Sequence, residues 1–261
     1  MTIVLIAVLA YLAATALLVR AVARDQADSR LWQWPAFAAV ALHAGYHAAV
    51  WREAGGADMH FFAALSLVGL GMAVLTTLFA AGGRMRALGV VVFPLAALML
   101  AGYAGYGHKP PEQHDWRLQL HAWCALLAYS TLAIAALLAL MLWAQERALR
   151  RREFRGWLRA LPPLTELESL LFRTIAVGFV LLTATLLTGV LFVQNLFAQH
   201  LVHKTVLSVL SWLAFGALLL GRWRSGWRGA LAVRWTLVAM GLLVLAFFGS
   251  QFVLELVLRR A

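Results

Sequence analysis

The feature that most limits what this chain can become is a recurrence. Apolar runs of about 20 residues follow one another, parted by short stretches holding Gly, Pro and Arg. A helix of about that length crosses the hydrocarbon layer of a bilayer, and inside that layer it satisfies its own backbone amides. Eight such runs can be drawn by apolar length and flanking breakers, over roughly 2–21, 34–51, 60–81, 87–105, 117–145, 169–197, 203–221 and 231–257. At about 1.5 Å per residue the fifth and sixth exceed the membrane thickness, so they tilt or project. The expected fold is all-α: a polytopic membrane helix bundle of about eight transmembrane helices, forming a single transmembrane domain over 1–261. Composition agrees. Hydrophobic residues make up 63% of the chain and charged residues 13%, against about 45–50% and about 25% in soluble domains.

The charges sort by side. Most of the 22 Lys and Arg residues fall in connections after odd-numbered runs, with Arg147, Arg150, Arg151, Arg152, Arg155 and Arg159 densest. The other connections and the C-terminus hold Arg52, Lys109, Arg117, Lys204, Arg259 and Arg260. Cytoplasmic loops carry the excess of Lys and Arg, so the odd connections are expected inside and both termini outside. The net charge of +11 is thereby a topology signal directed at lipid head groups, and no nucleic-acid partner is expected. The longest basic connection, with Phe154, Trp157 and Leu158 among its arginines, is expected to lie along the membrane surface. Pro162-Pro163 would end it, with Thr165 capping the next helix.

One cysteine excludes an internal disulfide, a CxxC pair and a CxxCH haem attachment. The first run has no basic residue ahead of it and is expected to be a retained span. Trp32, Trp34, Trp116, Trp223 and Trp227 lie near run boundaries, where aromatic belts form. Gly69, Gly71, Gly102 and Gly105 are expected to permit close helix packing.

The eight histidines share one side of this topology. His60, His108, His114, His200 and His203 fall at outer ends or in outer connections, and His121 about one turn into the fifth run. His47 is near the outer end of the second run, with His43 one turn deeper on the same helix face. Polar groups inside a span are costly and tend to face the bundle interior. Neutral imidazole is a ligand for haem iron or a transition metal. Glu112 and Asp115 lie close to His108 and His114 without the spacing of a tight metal motif, and Glu255 is either an imidazole partner or a snorkelling side chain. No nucleophile elbow, nucleotide loop or pair of carboxylates within a run is present, so no catalytic residue and no dedicated metal site are expected.

The stretch "LHAWCALLAYSTLAIAALLALML" resembles the His-containing helix of the CcsA-like cytochrome c assembly proteins. "LPPLTELESLLFRTIAVGFVLLTATLLTGVLF", together with "KTVLSVLSW", "GWRG" and "FFGSQFV", is similar to one branch of that family, the YpjD-type inner-membrane proteins. The resemblance implies a multi-span protein of the bacterial cytoplasmic membrane. It would handle a non-covalent, b-type haem at the outer face for cytochrome or complex biogenesis, beside other cytochrome assembly proteins, and would not be an enzyme. His121 matches the family's outer histidine, and "ALHAG" places His43 at a histidine within a span. The tryptophan-rich segment of haem-delivering members is replaced by "VLFVQNLFAQHLVHKTVLSVLSW", which keeps Lys204 and Trp212 and offers His203 or His200 as a substitute axial ligand.

Two readings compete with a haem-binding assembly factor. One is an accessory subunit of a metal-ion transport or resistance system without haem, with His43 and His47 lining a path. Ser66, Thr76, Thr77, Thr183, Thr185, Thr188 and Gln194 would accompany them, but no carboxylate stands mid-span. The other is a b-type electron carrier, for which a single histidine pair within one run is too few.

Overall fold

A computed structural model describes residues 1–24, 30–81, 86–107, 116–152, 162–192 and 202–252. His108, His114, His200, Glu112, Asp115, Gln194, Glu255 and the Phe154–Trp157–Leu158 stretch lie outside the described residues.

The described chain is helical throughout its elements: α1 (Thr2–Ala23), α2 (Gln33–Ala54), α3 (Phe61–Ala81), α4 (Arg86–Tyr106), α5 (Trp116–Arg151), α6 (Leu164–Phe192), α7 (Val202–Ser225) and α8 (Ala230–Val244). A π turn over Leu245–Gly249 continues α8. Seven of these helices are long and apolar enough to cross a membrane, the last of them spanning Ala230–Gly249. The chain is therefore a multi-pass membrane helix bundle. Helix α2 falls short of the others because His43, Tyr46, His47 and Arg52 dilute its apolar content.

The helices gather into two compact units, α1–α4 and α5–α8. In the first, each helix touches the next in sequence and α1 also packs on α4, so the four close into a ring. Helix α1 buries Val4, Ala7, Tyr11, Ala14 and Leu18, a stripe at three- and four-residue spacing, and leaves Leu5, Leu9 and Leu12 facing outward. A face that is apolar even where exposed suits lipid rather than water. Gly69 lets α3 approach α4, since a Cβ there would meet Met99 Sδ at 2.8 Å. Gly102 stands in ordinary contact with Phe62, whereas Gly105 has nothing within 4 Å and serves no close approach. Trp32 departs from the boundary-belt expectation. It is buried, its ring centroid 6.3 Å from that of Phe93. Trp34, Trp116 and Trp223 remain exposed, as a belt requires.

In the second unit α5 packs on α6 and α8, and α7 on α6 and α8, again closing a ring in chain order. Helix α6 turns Leu167, Leu171, Ile175, Gly178, Leu182, Thr185 and Gly189 inward at steps of three and four. Gly178 marks the tightest approach to α5: a Cβ there would lie 2.5 Å from Leu132 Cδ2. Helix α5 continues past its apolar stretch to Arg151, because "AQERALRR" is built of strong helix formers. Helix α6 starts at Leu164, directly after Pro162-Pro163, so Thr165 stands inside the first turn and not ahead of it as a cap. Proline's fixed φ starts the helix at that point. Trp227 likewise leaves the belt, packing against Gly221 and 5.7 Å from Trp235 between ring centroids. Where α8 widens into its π turn, the Tyr129 hydroxyl donates to the Leu243 carbonyl, a bond between α5 and α8.

Candidate functional site

His121 stands near the start of α5, half-buried against α6. Its Nδ1 lies 3.0 Å from the Thr185 carbonyl oxygen and 3.2 Å from Thr188 Oγ1. A carbonyl can only accept, so Nδ1 carries the ring proton. Thr188 spends its own proton on the Ala184 carbonyl at 2.8 Å or the Thr185 carbonyl at 3.0 Å and is left as a second acceptor for His121. The neutral imidazole then presents its lone pair on Nε2, which has no hydrogen-bond partner among the described residues. Ligand imidazoles are held in this way, one nitrogen anchored to a carbonyl and the other turned to the metal.

Helix α6 shapes itself around the ring. A Cβ at Gly189 would meet His121 Cε1 at 3.2 Å, so the glycine leaves room beside the edge that joins the two ring nitrogens. Toward the helix ends, Trp116 and Phe192 approach with ring centroids 6.0 Å apart. The Arg117 guanidinium stands 5.7 Å from the Trp116 ring and 6.0 Å from that of Phe192. Apolar rings with a cation at the rim are a combination that accommodates a flat, apolar group bearing anionic edges.

His203, also in this unit, lies in the first turn of α7 with an exposed side chain. Next to it, Lys204 Nζ is 3.5 Å from Gln251 Oε1 and 5.7 Å from the Phe247 ring centroid. Further along α7, Trp212 Nε1 donates to Thr183 Oγ1 at 2.8 Å while its ring stacks on Phe179. No hydrogen bond joins His121 to His203 among the described residues.

His43 belongs to the other unit and is fully buried. Tyr11 Oη lies 3.1 Å from its Nδ1 and Ser66 Oγ 2.9 Å from its Nε2. Both ring nitrogens are thus engaged, and iron could reach one only by displacing a partner. His47 shares the same face, as its four-residue spacing requires, with Nε2 3.0 Å from the same Ser66 Oγ. At the end of this unit Asp58 Oδ1 lies 2.6 Å from His60 Nδ1, and the Tyr103 hydroxyl donates to Asp58 Oδ2 at 3.4 Å.

Sequence reasoning named the imidazoles and missed what holds them. Tyr11, Asp58, Tyr103 and Gly189 carry no motif. A tyrosine or glycine in an apolar run is ordinary, and only its placement opposite a histidine gives it a role. Among the described residues no three His, Cys, Asp or Glu side chains are grouped to hold a metal ion.

A family model described as Cytochrome C assembly protein matches residues 29–258. The inner membrane protein YpjD of Escherichia coli (strain K12) is 33% identical over 198 residues, covering 74% of this chain and 73% of that protein. An uncharacterized 28.8 kDa protein in the nifR3-like 5′ region of Azospirillum brasilense is 37% identical over 143 residues, covering 54% of this chain and 53% of its own. No solved structure matches the chain. The family match runs across both helical units and takes in His43, His121 and His203, and the chain belongs to the cytochrome c assembly protein family.

Proposed function

We propose that this protein handles haem in the bacterial cytoplasmic membrane for cytochrome assembly, holding a non-covalent b-type haem as cargo and passing it on without chemistry of its own. The observation that carries the reading is the anchoring of His121. Its Nδ1 proton is committed to the Thr185 carbonyl and Thr188, which leaves Nε2 as an oriented donor to iron. Gly189 clears space beside the ring, and Arg117 would supply a cation able to pair with haem propionates. His203, exposed on the first turn of α7, is the second residue of this unit that would hold the haem. His43 is left out of the ligand set because both its nitrogens are occupied. Family membership supports the haem class, and the name of the E. coli relative supports the inner membrane. The receiving partner is a further cytochrome assembly protein.

An absorption spectrum of gently extracted protein, oxidised and reduced, tests this. A Soret band is expected, weakened by His121→Ala and partly restored by added imidazole. A colourless preparation from haem-replete cells that also shows no spectral change on hemin titration sinks the reading.

A further inference from the structure

The first unit contains a polar chain that the haem reading does not use. It starts at Tyr11 on α1, passes through His43 on α2 and Ser66 on α3, and returns to His47 on α2. The three links measure 3.1, 2.9 and 3.0 Å. Relative exposures are 0% for Tyr11, His43 and Ser66 and 1% for His47, so no bulk water competes for these bonds. Tyr11 also precedes the region matched by the family model.

Every member is a group that can both donate and accept a proton. The direction of the bonds follows from the inner end. The phenol of Tyr11 has no other hydrogen-bond partner among the described residues, so it donates to His43 Nδ1. His43 then bears its proton on Nε2 and donates to Ser66 Oγ. Ser66 in turn donates to His47 Nε2, which leaves the His47 proton on Nδ1.

We propose that this chain is a proton relay between Tyr11 and the end of the unit marked by Asp58 and His60. In one passage, the O–H bond of Tyr11 breaks as an N–H bond forms at His43 Nδ1. His43 loses its Nε2 proton to Ser66 Oγ, and Ser66 loses its hydroxyl proton to His47 Nε2. The passage ends with His47 carrying a proton on each ring nitrogen and Tyr11 as the phenolate, and the reverse passage returns the proton. Each bond broken is matched by one formed, no electron moves, and the net charge of the four groups is unchanged.

The groups around His47 are placed to respond to its protonation. The Tyr103 ring lies flat on it, centroids 4.8 Å apart with 8° between planes, and the Tyr103 hydroxyl reaches Asp58. Asp58 is bound to His60, which sets a carboxylate and an imidazole, both with little side-chain exposure, beyond the stack. Other titratable groups at this end are Tyr46, whose ring meets both His47 and Tyr103, Tyr106, exposed on α4 and stacked on Phe62, and Glu53 and Arg52, exposed at the end of α2.

The relay makes a specific claim: a protonation change at His47 is felt at Tyr11 only through Ser66. Infrared difference spectra across pH steps, on nanodisc-embedded protein with ring-labelled tyrosine, read this directly. The Tyr11 band is identified by its loss in Tyr11→Phe. In the wild type it is expected to shift together with the imidazole bands. Ser66→Ala should abolish the tyrosine shift and keep an imidazole response, and Ser66→Thr should restore the shift. If Ser66→Ala does not fold, Ser66→Cys, a weak donor, replaces it with the same expectation. A Tyr11 band that never moves in the wild type, or that still moves once the Ser66 hydroxyl is gone, overturns the relay. Haem content has no bearing on either outcome.

Discussion

The Nδ1 atom of His121 sits 3.0 Å from the carbonyl oxygen of Thr185, so a backbone atom of α6 decides which imidazole nitrogen faces away from the helix pair. The side chain of Thr185 is spent elsewhere, its Oγ1 donating to the Leu181 carbonyl at 2.9 Å. Thr185→Val should therefore leave hemin affinity nearly unchanged. Gly189→Ala, which places a methyl 3.2 Å from His121 Cε1, should push the ring off its anchor. A loss on the order of tenfold is expected, the low end for disturbing groups that orient a ligand. Hemin titrations of both variants check the contrast, and an equal effect from the two would show that the carbonyl is not the anchor.

Gly178→Ala bears on the α5–α6 interface without touching His121. Its Cβ would fall 2.5 Å from Leu132 Cδ2 and 2.7 Å from Leu132 Cγ, inside a packed core. Overpacking of this kind costs about 1–3 kcal/mol. Thermal unfolding in detergent should show a lower midpoint for Gly178→Ala, partly recovered when Leu132→Ala is added.

Arg222 ties α7 to α6 in two ways. Its Nη1 donates to Glu168 Oε1 at 2.8 Å, and its guanidinium lies 4.7 Å from the Phe172 ring centroid. Glu168 is nearly enclosed, with 9% of its side chain exposed, whereas Arg222 retains 37%. Arg222→Ala strands a carboxylate, and Arg222→Lys keeps the charge but loses the planar stack. The expected order of stability is wild type, then Lys, then Ala, with about 1–2 kcal/mol for the last after allowing for the exposed side of the pair. Denaturation curves in mixed micelles give that order directly.

Trp212 supplies a smaller tie. Its indole N–H reaches Thr183 Oγ1 at 2.8 Å and its ring stacks on Phe179. Trp212→Phe keeps the stack and drops the bond, which costs about 0.6 kcal/mol for a typical hydrogen bond between membrane helices. Trp212→Ala should cost clearly more. Equal losses in the two variants would assign the whole effect to the hydrogen bond.

The helices were legible because the bilayer sets one length for all of them, and apolar runs of that length stand out between their breakers. Their ends were less so. Arg151 closes α5 well beyond its apolar stretch because charged residues continue a helix as readily as leucine does. The ring order within each unit, and the placing of Gly178 against Leu132, depend on side chains far apart in sequence. At the candidate site His121 was legible as an imidazole in an apolar context. The identity of its anchor was not, because a carbonyl belongs to every residue and leaves no mark on composition. Tyr11 escaped for a related reason: tyrosine is common in membrane helices, and only its approach to His43 sets it apart, whereas Ser66 was legible as a polar companion of His43 and His47 but not as their shared partner.

Helix α2 is the one whose apolar content falls short of the other seven, and its two buried imidazoles hydrogen-bond to hydroxyls on α1 and α3. Offered to the insertion machinery by itself, it should partition poorly. Joined to its neighbours, it should enter efficiently, and Tyr11→Phe with Ser66→Ala should undo that gain in a glycosylation-mapping assay. Biogenesis of this protein is then a matter of timing: the first helix must wait beside the translocon for the second, and the second cannot leave until the third has emerged to release it into lipid.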